Sequence, residues 1–373
     1  MTALTVDQST ALRESVRSLL GDRAGEAQVR QTMETAAGYD PALWTALAEI
    51  GIVGLIVAEE HGGSGAGPIE LEMVMEEAGA ALLCAPLLAS SVLAASLLAA
   101  VNDSGAGARY LPRIADGTTI ASAALTGPTG TWTPEGVAVL STAPTAAGGA
   151  WTLNGTASFV LHAQNADLLL VAAHGADGIS LFAVDVPQES VLITALPTFD
   201  RTLRLAQVEF AGASAVPIGA PGAGWAAAEQ ALDVARVALA GEQAGAAKQS
   251  LSITVDYAKV RVQFGRPIGS FQAIKHMAAD LLLESESAIS AARAAARALA
   301  EGAPDAGAAI SLAAFACADA FTTVAATSIQ MHGGIAFTWE HPAHLYLRRA
   351  RADAQLLGTP AFYRERYLQQ LGA

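Results

Sequence analysis

The chain has 373 residues, of which 52% are hydrophobic and 15% charged, and it carries a net charge of −14. That length and apolar content exclude a disordered chain and call for more than one packed unit. The acidic balance argues against nucleic acid or an anionic membrane surface as a partner, and any anionic ligand must meet locally placed cations.

The amino terminus opens on a capping pattern, Thr5 with Gln8 ahead of Ala11 and Leu12, instead of a basic stretch followed by an apolar run. No signal peptide is expected, and the expected compartment is cytoplasmic. From Val6 to Ile114 the texture is helical. Leu43, Leu47 and Ile50 share one helix face, and Gly51 ends that helix. The loop His61-Gly62-Gly63-Ser64-Gly65 lacks the spacing of a phosphate or dinucleotide loop and reads as a turn. Gly79 to Val101 is long and uncharged enough to span a bilayer. It contains Pro86 and Ser90-Ser91, however, and follows Glu76 and Glu77 in place of a basic flank. It reads as buried helix, with no membrane span expected. Cys84 and Cys317 read as packing residues, and without CxxC or HxxxH spacing no metal site is expected.

Past Gly117, Thr118 to Phe210 is rich in Thr, Val, Phe and Gly. Trp151 to Leu153, Asn154-Gly155 and Thr156 to Val160 together predict a hairpin, since Asn-Gly supplies the positive φ of a type I′ turn. Leu168–Ala172, Ile179–Val184 and Leu203–Phe210 read as further strands of a compact antiparallel domain. Helical texture returns after Val216-Pro217. Trp225, Ala228, Leu232, Ala235 and Leu239 form one buried face, and Phe271, Ile274, Ala278, Leu281, Ser285 and Ala288 form a second. A third helix is predicted from about Asp305 to Met331 and a fourth from near Ala343 onward, making an antiparallel four-helix bundle. The expected fold is thus α+β and mostly α: helical residues 1–116, a β domain over 117–216 and the bundle over 217–373.

Two motifs carry a family resemblance over essentially the whole chain. Tyr257 to Ile268 reads YAKVRVQFGRPI, followed by Phe271-Gln272 and Lys275, and Gln330 to Thr338 reads QMHGGIAFT. These motifs, about 70 residues apart, and the order of the three segments resemble acyl-CoA dehydrogenases. The resemblance implies FAD as cofactor and an acyl-CoA thioester as substrate. It further implies that a carboxylate removes the α-proton while the β-hydride passes to flavin, with electron-transfer flavoprotein as a candidate acceptor. It places each FAD between two subunits, so an oligomer is expected. Arg261, Gln263, Phe264, Gln330, Gly333 and Gly334 would serve the neighbour's cofactor, Arg261 through paired bonds to its pyrophosphate.

Elsewhere the family pattern is departed from. The loop that normally reads Thr-Glu-Pro-Gly-x-Gly-Ser-Asp is here Leu125 to Trp132, keeping Thr126 but losing Ser-Asp. The family's Trp-Ile-Thr falls on Phe159-Val160-Leu161, which keeps an aromatic ring but loses the hydroxyl that faces flavin. Of the two positions where the family carries its base, one holds Leu357 and the other Ala235, ahead of Arg236, the residue expected toward substrate. Asp233 is expected to pair with Arg236. Glu242 lies two turns beyond Ala235, about 11 Å of helix, and is weighed as structural over catalytic. His332 falls in the FAD turn, and His341 and His344 are expected to cap or line the last helix. The leading expectation is a base-deficient subunit that completes a partner's FAD site in a heteromer, as in some actinobacterial-type enzymes acting on bulky thioesters. A self-sufficient homo-oligomer with an unconventional base is the alternative, and a flavin-free acyl-CoA-binding scaffold is a second.

Overall fold

The computed structural model describes residues 6–144 and 150–372. Thr5, half of the expected amino-terminal cap, lies outside them. The first segment comprises α1 (Val6–Arg23), α2 (Glu26–Thr32), α3 (Pro41–Glu49) and α4 (Pro68–Ala80). The Asp40 carboxylate caps α3 by accepting the Ala42 amide at 2.9 Å. The helix stops at Gly51, whose φ of +79° glycine adopts without a Cβ penalty. The stretch expected as one buried helix from Gly79 is buried but broken. Leu82 turns the chain at φ +50°, Pro86 opens a π-helical run over Leu87–Ala94, and α5 (Ala95–Ala100) continues it. Proline cannot donate the amide an uninterrupted helix needs there. α6 (Ser104–Ala115) leads into the sheet.

The strands are β1 (Ala121–Ala124), β2 (Val139–Thr142), β3 (Trp151–Leu161), β4 (Leu168–Gly175), β5 (Gly178–Asp185), β6 (Val191–Ala195) and β7 (Leu205–Ile218). Pairing runs β4–β2–β3–β7–β5 and returns to β4, closing a small barrel that β1 and β6 extend. The domain is not wholly antiparallel as expected: β1 and β2 both run parallel to β4. Nor do Asn154 and Gly155 form a hairpin, because both lie inside β3. The register against β7 slips between Leu153 and Asn154, and the Asn154 side chain accepts the Gly212 amide at 2.9 Å. Glycine is needed because a Cβ on residue 155 would stand 2.5 Å from the Ala138 carbonyl oxygen. Alternation along β4 divides two cores. Leu169, Val171 and Ala173 pack within the barrel, while Leu168, Leu170 and Ala172 join the helical core that includes Leu93 and Leu232.

The third segment contains α7 (Gly224–Val260), α8 (Gln272–Glu301) and α9 (Ala306–His332). The expected fourth helix is two, α10 (Ala343–Asp353) and α11 (Pro360–Gln370). Left-handed backbone at Leu357 (φ +58°) and an extreme φ of +133° at Gly358 separate them, and Thr359 caps α11 with Pro360 in its first turn. α9 is long and apolar enough to cross a bilayer, but Phe321, Val324 and Ala325 are fully buried against neighbouring helices. α7 packs on α4 through glycines: a Cβ at Gly79, Gly241 or Gly245 would stand 1.9, 2.7 or 1.8 Å from backbone oxygen of the facing helix. That close approach sets α7 against the amino-terminal segment along its whole middle.

Candidate functional site

A cavity of about 930 Å³ opens where the β domain meets the break between α10 and α11. Its walls are largely aromatic and aliphatic, with Trp132, Phe159, Leu356 and Phe362, and it is edged by threonines and by Arg351. Phe159 reaches it because β3 slips against β7 between Ala157 and Val160, leaving Ser158 and Phe159 outside the ladder with Phe159 at φ +56°. Gly130 lies so close that a Cβ there would be 3.1 Å from the Phe159 ring. Thr126 lies behind this wall; its hydroxyl donates to the Thr131 carbonyl at 2.7 Å and fixes the Gly130 turn. The volume and ring-bearing walls fit a planar aromatic group such as a flavin. Leu161, at the expected hydroxyl position, is only 3% exposed and belongs to the apolar core. The shape survives, but the hydrogen-bonding group does not.

Ala235 and Leu357, the two positions expected to carry a base in one or other branch of the family, are both fully buried in the same apolar core. Neither side chain can take a proton. The hydroxyl of Tyr363 donates to the Leu357 carbonyl and receives a bond from Arg236 Nε at 3.2 Å. Arg236 is 2% exposed, with Nη1 bonded to Asp233 at 2.6 Å and Glu229 at 2.7 Å. Its guanidinium therefore ties α7 to α11, and the expected pair with Asp233 is present.

Glu242 is 3% exposed and bonds Arg349, whose Nε also bonds Asp353 at 3.0 Å and whose Nη1 bonds Thr202 at 2.9 Å. Asp200 lies 3.7 Å from the same guanidinium. Burial holds the Asp353 carboxyl well above the usual carboxylate range, against the pull of Arg349. Beside this cluster burial pushes His162 down to about 3, so its ring is neutral. Arg349 escapes a reading of the sequence because it is 107 residues from Glu242; its only local signal is Asp353 one helical turn away.

The QFG segment forms a two-stranded hairpin, β8 (Val262–Gln263) with β9 (Arg266–Pro267). Phe264 (φ +52°) and Gly265 (φ +78°) form its tip with type I′ signs, and Phe264 is 93% exposed. Arg261 and Gln263 are exposed, and Arg261 has no side-chain partner among the described residues. Tyr257, one turn earlier, stacks on His332 with ring centres 4.5 Å apart and donates to the His332 carbonyl at 3.4 Å. The two motifs therefore meet. Gln330 is exposed in the last turn of α9, and Gly333 (φ +65°) and Gly334 follow as an open turn, where a Cβ on either glycine would meet nothing within 4 Å. His341 accepts the Ala343 amide at 3.2 Å and caps α10, and His344 lies edge-on to Trp339. None of the hairpin or turn residues lines the 930 Å³ cavity. The chain thus has an inward-facing cavity and a separate outward-facing group of cationic, glycine and aromatic residues.

Comparison with known proteins gives a concordant result. The sequence profile "Acyl-CoA dehydrogenase, N-terminal domain" matches residues 7–118, and "Acyl-CoA dehydrogenase, C-terminal domain" matches residues 222–371. The chain is 36% identical to acyl-CoA dehydrogenase IpdE2 of Mycobacterium tuberculosis, covering 95% of this chain and 94% of that protein. Its fold is similar to the ChsE4–ChsE5 complex of the same organism (TM-score 0.89, 27% identity, 100% and 99% covered). It is also similar to a single-site variant of the Tcur3481–Tcur3483 steroid ACAD (TM-score 0.87, 29% identity, 98% of each chain).

Proposed function

The chain belongs to the acyl-CoA dehydrogenase family, and on that footing we propose that it acts as the base-deficient subunit of a heteromeric enzyme dehydrogenating acyl-CoA thioesters. The observation that carries this reading is an asymmetry. Ala235 and Leu357 are sealed in apolar core, while Arg261, Phe264, Gln330, Gly333 and Gly334 face outward. Two similar structures each carry a name with two components, and one of them is named as a steroid enzyme. A partner subunit supplying the carboxylate and a bulky acyl-CoA substrate are read from that likeness.

FAD, when bound, supplies a hydride acceptor for the β-carbon. Toward the partner's cofactor, the Arg261 guanidinium would pair with the pyrophosphate and the Gly333-Gly334 backbone would allow close approach of the adenosine end. Gln263 and Phe264 would help hold the cofactor between subunits. In this chain's own cavity Phe159 retains part of a flavin wall, and Thr126 fixes the turn behind it. That cavity supports a second reading, in which the chain also holds a flavin of its own without a conventional base.

The test is FAD occupancy and turnover of the co-expressed complex. Arg261→Ala should cost roughly 1.5–3 kcal/mol of cofactor binding, about one to two decades in affinity. Leu161→Thr changes only the apolar core behind this chain's own cavity and should leave the partner's flavin unchanged. Full flavin retention in Arg261→Ala would remove the basis of the donor reading. Flavin absorbance from the chain purified alone would favour the second.

A further inference from the structure

A second cavity, of about 750 Å³, lies between the loop at residues 56–68, α5, α6 and the flank of α7, and shares no lining residue with the first. Ile56, Leu71, Leu98, Leu111 and Val234 give it aliphatic walls. Its volume is that of a site for a drug-sized molecule, far beyond a packing defect. Ser96 lines it, is 8% exposed, and its hydroxyl has no partner among the described residues. A buried hydroxyl is ordinarily bonded, so one left over beside an open cavity marks where a ligand oxygen belongs. Ser96 is carried two residues past the π-helical run Leu87–Ala94, a rare geometry found disproportionately at functional sites.

The charges at the rim decide the class of ligand. Among the described residues no Lys or Arg lines this cavity, whereas Glu60 and Asp103 do. The Asp103 carboxylate is already used, accepting the Ala106 amide at 3.0 Å and the Gly219 amide at 2.9 Å. The His61 ring leans toward Glu60, with Nε2 at 3.8 Å from its carboxylate. Anionic molecules, among them CoA thioesters, phosphates and fatty acids, have nothing to offset their charge there. We infer that this cavity is a binding site for a neutral, mainly apolar molecule presenting one hydroxyl or carbonyl oxygen to Ser96, separate from the acyl-CoA and cofactor surfaces. Gln230 and Val234 bring it to the flank of α7 adjoining Ala231 and Ala235, so an occupant would touch the helix that also walls the apolar core behind the first cavity.

The experiment uses the chain in the assembly in which it purifies and 2-naphthol as probe, followed by its fluorescence, with naphthalene and 2-naphthoate as comparisons. One 2-naphthol per chain is expected, bound several-fold to tenfold more tightly than naphthalene and at least tenfold more tightly than 2-naphthoate. Ser96→Ala should reduce 2-naphthol to the level of naphthalene without lowering the melting temperature. Ala108→Phe, on the exposed rim of α6, should block the probe while Ser96 stays in place. Equal binding of all three probes, no saturable binding at millimolar concentration, or 2-naphthol binding indifferent to both substitutions would each overturn the assignment; the last would move the probe to the first cavity.

Discussion

Arg349→Met tests whether the buried charge cluster is structural. The guanidinium bonds Glu242, Asp353 and Thr202 and lies beside Asp200, and all three carboxylate side chains are at most 4% exposed. Methionine preserves much of the length and packing but leaves those groups without their cation. Removing one partner of a buried pair costs roughly 3–5 kcal/mol, since the remaining charge stays desolvated. At about 2 °C per kcal/mol for a large chain, the melting midpoint should fall by roughly 6–10 °C. Urea denaturation followed by Trp fluorescence reads the same loss as a lower midpoint. Adding Glu242→Leu removes one stranded carboxylate and should recover roughly 2 kcal/mol, because a well-packed apolar replacement of a buried pair is often neutral. Glu242→Gln alone should lower stability and spare turnover of the assembled enzyme. A single Arg349→Met variant within about 1 kcal/mol of the parent would refute the structural account, and Glu242→Gln that abolishes turnover at unchanged stability would make Glu242 the missing base.

Burial, reinforced by the Glu76 charge, raises Glu72 to about 9. From about pH 4.5 to 9 the unfolded chain has lost a proton that the folded chain keeps, so stability falls as pH rises, by at most about 1.4 kcal/mol per unit. Glu72→Gln should flatten that part of the profile, measured as melting midpoint from about pH 6 to 9; parallel profiles would contradict it. Phe264→Asn removes a 93% exposed ring while suiting the positive φ there. It should leave the chain's stability within about 0.5 kcal/mol and weaken assembly by light scattering. Gly245→Ala, with its Cβ 1.8 Å from the Glu76 carbonyl oxygen, should cost roughly 3 kcal/mol in urea. Gly21→Ala, where nothing lies within 4 Å, should be neutral or stabilising by up to about 1 kcal/mol.

What the sequence disclosed was local. Helix faces such as Ala228, Leu232, Ala235 and Leu239 show because apolar residues recur at the helical period, and all four are buried. The Asp233–Arg236 pair shows because three residues make less than one turn. Asn154-Gly155 misled because the same dipeptide that turns a hairpin also relieves a bulge. Only the neighbouring strand, with its Ala138 carbonyl 2.5 Å from a Cβ at residue 155, decides between them. The parallel pairing of β1 with β4 was hidden for the same reason: alternation reports which face is buried, never which strand lies alongside. The break in the last helix was not legible: one helix is expected from near Ala343 onward, and the left-handed backbone at Leu357 that separates two shows only in the structure. For the site, absent chemistry was easier to read than present chemistry. A lost base is a fact about one position, whereas the Glu242–Arg349 cluster joins residues from α7, α10 and the loop before β7.

Phe264 at the hairpin tip, with Phe337 at 80% and Trp339 at 50% exposure nearby in sequence to the glycine turn, has a consequence for how such a chain is handled during synthesis. A molecule released from the ribosome without a neighbour presents bare rings on a preformed β-hairpin, which other chains and chaperones bind without selectivity. Its steady-state level should therefore follow the supply of its neighbour: unmatched copies would be removed by proteolysis or aggregate. Balanced translation of two chains would then matter more to the yield of working enzyme than the folding stability of either one.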